Sequence, residues 1–268
     1  MVTSPTLHAE RIVFDIKVRE GVAKKNSIFV AAEIPIHLYV NREHFITLLA
    51  SPTMIKELAI GHLLAEGVAK RVDNAEIVVD GDKVKVSLPG VDARVKASRI
   101  LRLVTTACGG RSDYLKLLDG ISKPQVASEL TVSAKKIARM VGDLNKVSAT
   151  HKRTRGTHVA ALFDEDGNLV CSAEDVGRHN AVDKVIGWVA LRGRDCNRFV
   201  LVSSGRLTAD IVLKAARIGM PIVVSITAPT DSGVRVAEKT GITLIGLANV
   251  AKMRVYTYPG RILPLNKG

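Results

Sequence analysis

The chain reads as an α/β protein whose C-terminal half is a three-layer sheet, a β-hairpin followed by a β-α-β-α-β run, preceded by a smaller β-rich α+β part. Three observations predict this. Between residues 199 and 247, short apolar runs alternate with single helix-length segments, which implies parallel strands joined by crossover helices. Two further apolar runs flank the turn Asp164-Glu165-Asp166-Gly167 just upstream and read as a hairpin. The first third instead alternates apolar and polar residues with a period of two.

The elements follow in order. Residues 11–19 and 34–40 alternate as half-buried strands do. Ser51-Pro52 opens a helix over 53–67, with Thr53 as its cap and Glu57 in its first turn. Strands at 76–79 and 83–88 flank Asp80-Gly81-Asp82, a compact hairpin turn. A strand at 100–104 leads to Cys108. The stretch 109–131 has no strong period, contains Gly120 and Pro124, and reads as a mobile connector. A helix at 133–146 follows. The basic run His151-Lys152-Arg153-Thr154-Arg155-Gly156 is either a solvated loop or an anion contact. Strands at 159–163 and 168–172, a helix at 176–191, a strand at 199–203, a helix at 208–218, a strand at 222–227, a helix at 231–240 and a strand at 242–247 complete the pattern. No internal repeat is present. The division is therefore a β-rich α+β domain over 1–107, a cysteine-bearing connector over 108–131 and an α/β domain over 132–268.

At 268 residues the chain can bury a sizeable core in one large domain or two modest ones. Three cysteines are too few for a disulfide framework and point to a reducing compartment. Met1-Val2-Thr3-Ser4-Pro5 does not begin a signal peptide. The most apolar helical stretch, 58–68, is broken by His62 and Glu66 and is too short to span a bilayer. The expectation is a soluble, cytoplasmic protein with no membrane contact. Thirty-nine Lys and Arg against 26 Asp and Glu give a formal charge of +13, which attracts nucleic acid, an acidic protein or a phosphate-rich ligand. Aromatic residues at 4% argue against a single-strand binder built on stacking, and no RRM, KH or C2H2 pattern occurs. Nucleic acid is thereby disfavoured.

Cys108 stands in Thr105-Thr106-Ala107-Cys108-Gly109-Gly110-Arg111-Ser112, framed by small and polar residues. Two glycines and an arginine favour an approachable thiolate, the form that attacks other sulfurs. No second cysteine lies at CxxC spacing, so no local dithiol or zinc knuckle forms. A free cysteine also serves commonly as a small core hydrophobe. That role is expected for Cys171, in Leu169-Val170-Cys171, and for Cys196, in the turn Gly193-Arg194-Asp195-Cys196-Asn197.

Ligands of an open parallel sheet bind beyond the carboxyl ends of the strands. Ser203-Ser204-Gly205-Arg206, Thr227-Ala228-Pro229-Thr230-Asp231-Ser232-Gly233 and Glu174-Asp175-Val176-Gly177-Arg178-His179-Asn180 each precede a helix whose first N–H groups can hold a phosphate. Gly205 permits close backbone approach and Arg206 supplies a bidentate fork. Thr230 and Asp231 have the competing role of ordinary helix caps, and Glu174, Asp175 and Arg178 that of an ion-pair network. His8-Ala9-Glu10 matches half of a zinc deaminase signature, but the P-C-x-x-C half is missing, so no metal site is expected.

Taken together, these residues resemble the FdhD family of formate dehydrogenase accessory sulfurtransferases. The resemblance covers most of the chain. Its most specific pieces are 105–109, the run from Glu174 to Lys184, Ser204-Gly205-Arg206, Ala228-Pro229-Thr230 and Val255-Tyr256-Thr257. It implies a cytidine-deaminase-like C-terminal domain and a homodimer. It implies that Cys108 takes sulfur from a cysteine desulfurase as a persulfide. The sulfur then passes to the molybdenum bis(molybdopterin guanine dinucleotide) cofactor of a formate dehydrogenase. The cofactor contact implied by position is Leu247, Ala248, Asn249, Val250, Ala251 and Lys252, with Ser204, Gly205, Arg206 and His179 as secondary candidates. The alternative is a chaperone that delivers the cofactor without sulfur chemistry; a basic RNA-binding protein ranks behind both. Three positions depart from the family's habit: Arg111 replaces a second cysteine, Asn249 an arginine, and Ala173 an arginine before the Glu-Asp pair.

Overall fold

The computed structural model describes residues 7–91 and 126–263. The strand expected at 100–104, Cys108 and the boundary expected at 107 lie outside the described residues. The described residues are mixed α/β, with one six-stranded sheet, one four-stranded sheet and two two-stranded ones. A two-stranded pair of β1 (His8–Lys17) and β2 (Val22–Ala31) leads the chain. The four-stranded sheet has the order β4-β3-β6-β5, built from β3 (Ile34–Val40), β4 (Glu43–Ala50), β5 (Glu76–Asp80) and β6 (Lys83–Ser87).

β4 was not anticipated, and its turn explains why. Val40 pairs with Glu43 across a two-residue loop, Asn41-Arg42, with φ of 49° and 70°. Such turns ordinarily announce themselves with glycine. Here Asn41 is held instead by its side chain, which accepts from the Leu88 N–H at 2.7 Å and donates to the Val91 carbonyl at 2.7 Å. β1 also departs from expectation. Its alternating Ile12, Phe14 and Ile16 are not half-buried but 65–68% exposed. The hairpin meets the body near its base, where Arg153 lies 4.5 Å from the centroid of the Phe29 ring.

Helix α1 (Ile55–Ala65) begins at Met54, in the left-handed region at φ 51°, rather than at a Thr53 cap. Every residue from Leu58 to Ala65 is buried, because α1 is covered on several sides. One neighbour is the four-stranded sheet, through Ile36, Leu38, Val84 and Val86; others are the C-terminal helices. Full burial of Leu58, Ile60 and Leu63 contributes about 1.5–3 kcal/mol each relative to exposure.

After the short β7 (Val132–Ser133) come α2 (Ala134–Lys146) and α3 (Ala149–Thr154). The basic run expected as a loop is therefore largely helical. Glu174 accounts for this, accepting from the N–H groups of Thr150 and His151 at 2.8 and 2.7 Å in the first turn. The remaining elements are β8 (His158–Phe163), β9 (Leu169–Asp175), α4 (Arg178–Ala190), β10 (Val200–Ser203), α5 (Ala209–Arg217), β11 (Ile222–Ser225), α6 (Asp231–Thr240), β12 (Thr243–Gly246), β13 (Arg254–Val255) and β14 (Ile262–Leu263).

The six-stranded sheet runs β13-β12-β11-β10-β8-β9. β10, β11 and β12 are parallel, while β8 and β9 form the expected antiparallel hairpin at the other end. Period-two alternation divides its side chains between two cores. Ala160, Leu162, Leu201, Val223 and Leu244 face the core shared with α1, α4 and α5; Val159, Ala161, Phe163, Val202, Val224 and Ile245 face the one shared with α2. The described end of the connector is pinned: Val126 donates to the Thr240 carbonyl at 2.8 Å, and Arg261 donates to Ser128 and Gly241 carbonyls.

α1 and α4 cross at a glycine pair. A Cβ on Gly61 would fall 1.7 Å from the Asp183 carbonyl oxygen, and one on Gly187 would fall 1.9 Å from that of Glu57. Backbone touches backbone there, so any side chain forces the helices apart. Gly61→Ala and Gly187→Ala should each lower the unfolding free energy by about 3 kcal/mol, seen as a lower urea midpoint at unchanged slope.

Candidate functional site

The loops after β10, β11 and β12 form one rim. The Ser225 hydroxyl donates to the Gly205 carbonyl at 2.7 Å, and the Ala248 and Leu247 N–H groups donate to the Ser225 and Thr227 carbonyls at 3.0 Å. Leu207 bridges to Pro229. Three segments far apart in sequence are thus held as a unit.

On the α2 side of this rim lies a cavity of about 660 Å³. Its walls are Val141, Gly142 and Asn145 of α2, Ile226 after β11, and Leu247, Ala248, Asn249, Val250, Lys252, Met253 and Arg254. Five of the six residues expected to contact cofactor therefore line it, and Ala251 does not. Leu247 turns the chain at φ 52°. Asn249 then closes the loop on itself: its side-chain oxygen accepts from the N–H groups of Ala251 and Lys252 at 2.9 Å, and its own N–H donates to the Lys252 carbonyl at 2.8 Å. An apolar slot with two cations, Lys252 and Arg254, suits a flat heterocycle that carries phosphates. Sequence reasoning missed the α2 wall and Ile226. No local motif signals them; packing alone brings α2 to the rim.

The run from Glu174 to Lys184 is mostly internal frame. Lys184 and Asp175, both fully buried, pair at 2.6 Å. Asp175 also accepts from the N–H groups of Ser51 and Gly177 and from the Asn180 amide, while Lys184 donates to the Ser51 carbonyl at 3.0 Å. Asp183 accepts from Lys214 through both oxygens at 2.9 Å and lies 3.0 Å from Nδ1 of His62. Lys214 reaches on to Glu66 at 2.6 Å, and Arg217 lies 3.6 Å from the same carboxylate. Removing one partner of such a buried pair costs about 3–5 kcal/mol, because the other charge is left unpaired.

The secondary candidates lie at the rim's α4 side. The Ser204 hydroxyl accepts from the Val159 N–H at 3.0 Å, with His158 3.4 Å away, so it is turned into the sheet. Gly205 gives way to Arg178, whose Cβ would lie 2.8 Å from a Cβ at that position. Arg206 is exposed. His179 points its Nε2 inward, 4.0 Å from Asp210, and makes no hydrogen bond there. Burial, then Lys214 and Arg178, push its imidazole below the ordinary histidine value. Burial, then Arg178, His151 and Arg206, do the same to His158, so both rings are neutral near pH 7. Cys171 and Cys196 are buried in the core, and burial pushes each thiol up to about 12.

Glu66 yields a pH-dependent prediction. Burial raises its carboxyl, but Lys214 above all, with His62 and Arg217, outweighs this and holds it at about 2 instead of 4.5. A depressed carboxylate stabilises the fold fully above its ordinary value, and that stabilisation is lost as pH falls from about 4.5 toward 2. Glu66→Gln should lower stability at pH 7 and flatten the decline over that acid window, read by urea unfolding at stepped pH.

With this geometry in view, comparison with known proteins is specific. Residues 31–263 match the model of the FdhD/NarQ family. The sulfur carrier protein FdhD of Shouchella clausii is 34% identical over 240 residues, spanning 87% of this chain and 89% of that protein. Its counterpart in Bacillus subtilis is 34% identical over 247 residues, spanning 91% and 94%. The crystal structure of a formate dehydrogenase accessory protein from Desulfotalea psychrophila superimposes with a TM-score of 0.77 at 27% identity, covering 96% of this chain and all of that one.

Proposed function

The chain belongs to the FdhD/NarQ family, and on that premise we propose that it is a sulfur carrier serving a formate dehydrogenase. The supporting observation is the cavity at the rim, walled by the loop that the resemblance assigns to cofactor contact. Cys108, outside the described residues, is the sulfur-bearing group in this reading. Its thiolate attacks the outer sulfur of a persulfide on a cysteine desulfurase; the donor's S–S bond breaks, its cysteine leaves as thiolate, and the persulfide resides on Cys108. The sulfur's destination is the molybdenum bis(molybdopterin guanine dinucleotide) cofactor, bound as substrate. Leu247, Ala248, Asn249 and Val250 with Val141 and Ile226 would seat its guanine nucleotide, and Lys252 and Arg254 would meet its phosphates. The carrier would act in the cytoplasm as a homodimer. Among the described residues no helix is long and apolar enough to cross a membrane.

A second reading, cofactor delivery without sulfur transfer, draws on Arg111, which removes a resolving dithiol. Intact mass spectrometry after incubation with a desulfurase and cysteine separates the two. The carrier reading expects a gain of one sulfur localised to Cys108, and Cys108→Ala should lose both that gain and activation of the target enzyme while unfolding like the wild type. Unimpaired activation by Cys108→Ala would overturn it. Gly142→Leu, which fills the cavity from α2, should weaken guanosine diphosphate binding by about tenfold or more, measured by calorimetry, and leave sulfur loading of Cys108 intact.

A further inference from the structure

We infer that the recess where the start of α4 meets the β10–α5 loop is a second, separate site, one that binds a phosphate or diphosphate group through Arg178 and Arg206. It shares no residue with the cavity walls and lies on the other side of the sheet, against α4 rather than α2.

The first ground is an unpaired guanidinium. Among the described residues Arg178 makes no side-chain hydrogen bond or ion pair, and its Nε is buried without a partner. A buried donor left unsatisfied costs about 1–3 kcal/mol, more when it is charged. The placement is also built rather than incidental. The stem of Arg178 passes beneath Gly205, whose missing side chain makes the room: its Cβ would meet Arg178 Cβ at 2.8 Å and Cδ at 3.3 Å.

The second ground is the charge around it. Arg206 directly follows Gly205, the residue packed on the Arg178 stem, and both arginines act on His158. Arg206 likewise has no side-chain partner among the described residues. The carboxylate facing the same histidine, Asp175, is committed to Lys184, Asn180 and two backbone N–H groups. The other carboxylate at this edge is Asp210, in the first turn of α5 and 4.0 Å from Nε2 of His179. Two forks against that one carboxylate leave a surplus of positive charge that matches the flat, several-oxygen face of a phosphoryl group.

The third ground is the pair of helix starts. α2 and α6 are capped by the side chains of Ser133 and Thr230, but α4 and α5 start at Gly177 and Thr208 with no side-chain cap. The Thr208 hydroxyl is itself buried and unpartnered. A phosphoryl group between these termini meets open N–H groups, a hydroxyl and both arginines.

The inference does not depend on the sulfur-carrier reading. Its test is calorimetric titration of the full chain with inorganic diphosphate and, separately, guanosine diphosphate, at matched ionic strength. Arg178→Gln and Arg206→Gln are the variants, and Lys146→Gln, on the exposed surface of α2, is a control for loss of one positive charge. Saturable diphosphate binding by the wild type is expected, weakened at least about tenfold in both arginine variants and unchanged in Lys146→Gln. If guanosine diphosphate follows the same loss, the recess takes a nucleotide's phosphates. If guanosine diphosphate binds all variants alike, the recess takes an anion from another source. No saturable diphosphate binding by the wild type, or wild-type affinity in either folded arginine variant, would overturn the inference. Thermal unfolding verifies each variant, and Arg206→Gln, exposed and without a side-chain partner among the described residues, carries the test should Arg178→Gln fail to fold.

Discussion

Two helices far apart in the sequence touch backbone to backbone at Gly61 and Gly187, and the packing of the core they share depends on that contact. Because α1 belongs to the N-terminal sheet's core and α4 to the C-terminal one, their spacing fixes how the two sheets sit. The same crossing brings Asp183 within reach of His62 and Lys214, and Lys214 within reach of Glu66. A looser crossing would leave these charges buried and unpaired, an outcome far costlier than losing apolar contacts. Position, too, is transmitted. Arg178 stands at the first turn of α4, so the rim inherits its geometry from contacts about one and a half to two and a half helical turns away.

This explains why the most distinctive stretch of the chain is only partly a site. Glu174, Asp175, Asp183 and Lys184 look like catalytic polar residues in one dimension, yet in three they cap α3, pin the turn between β4 and α1, and pair with one another or with Lys214. Their chemistry is spent on the fold. Arg178 and His179 are the exceptions, since neither side chain makes a hydrogen bond among the described residues.

Much of the architecture was legible because local patterns agree with it. Ile34–Val40 and Asp231–Thr240 occur over the anticipated residues, and the parallel order of β10, β11 and β12 follows from alternation with helices. What was not legible depended on distant groups. α3 forms from a basic run because the Glu174 carboxylate, on a later strand, satisfies its first N–H groups. β2, with the polar run Lys24-Lys25-Asn26-Ser27, carries no alternation and exists through its pairing with β1. β1 alternates but has no core beneath it, so its apolar side chains stay in solvent; the family match begins only at residue 31, where β2 ends. The loop over 247–252 was found through resemblance, and its wall from α2 could be found only in space.

The two core cysteines have a bearing on selectivity. With thiols held near 12, only about one molecule in 10⁵ carries either of them ionised at neutral pH. An electrophilic sulfur or an alkylating reagent therefore finds no competent nucleophile among the described thiols. That inertness of Cys171 and Cys196 is a by-product of ordinary hydrophobic packing, achieved without any group dedicated to protecting them.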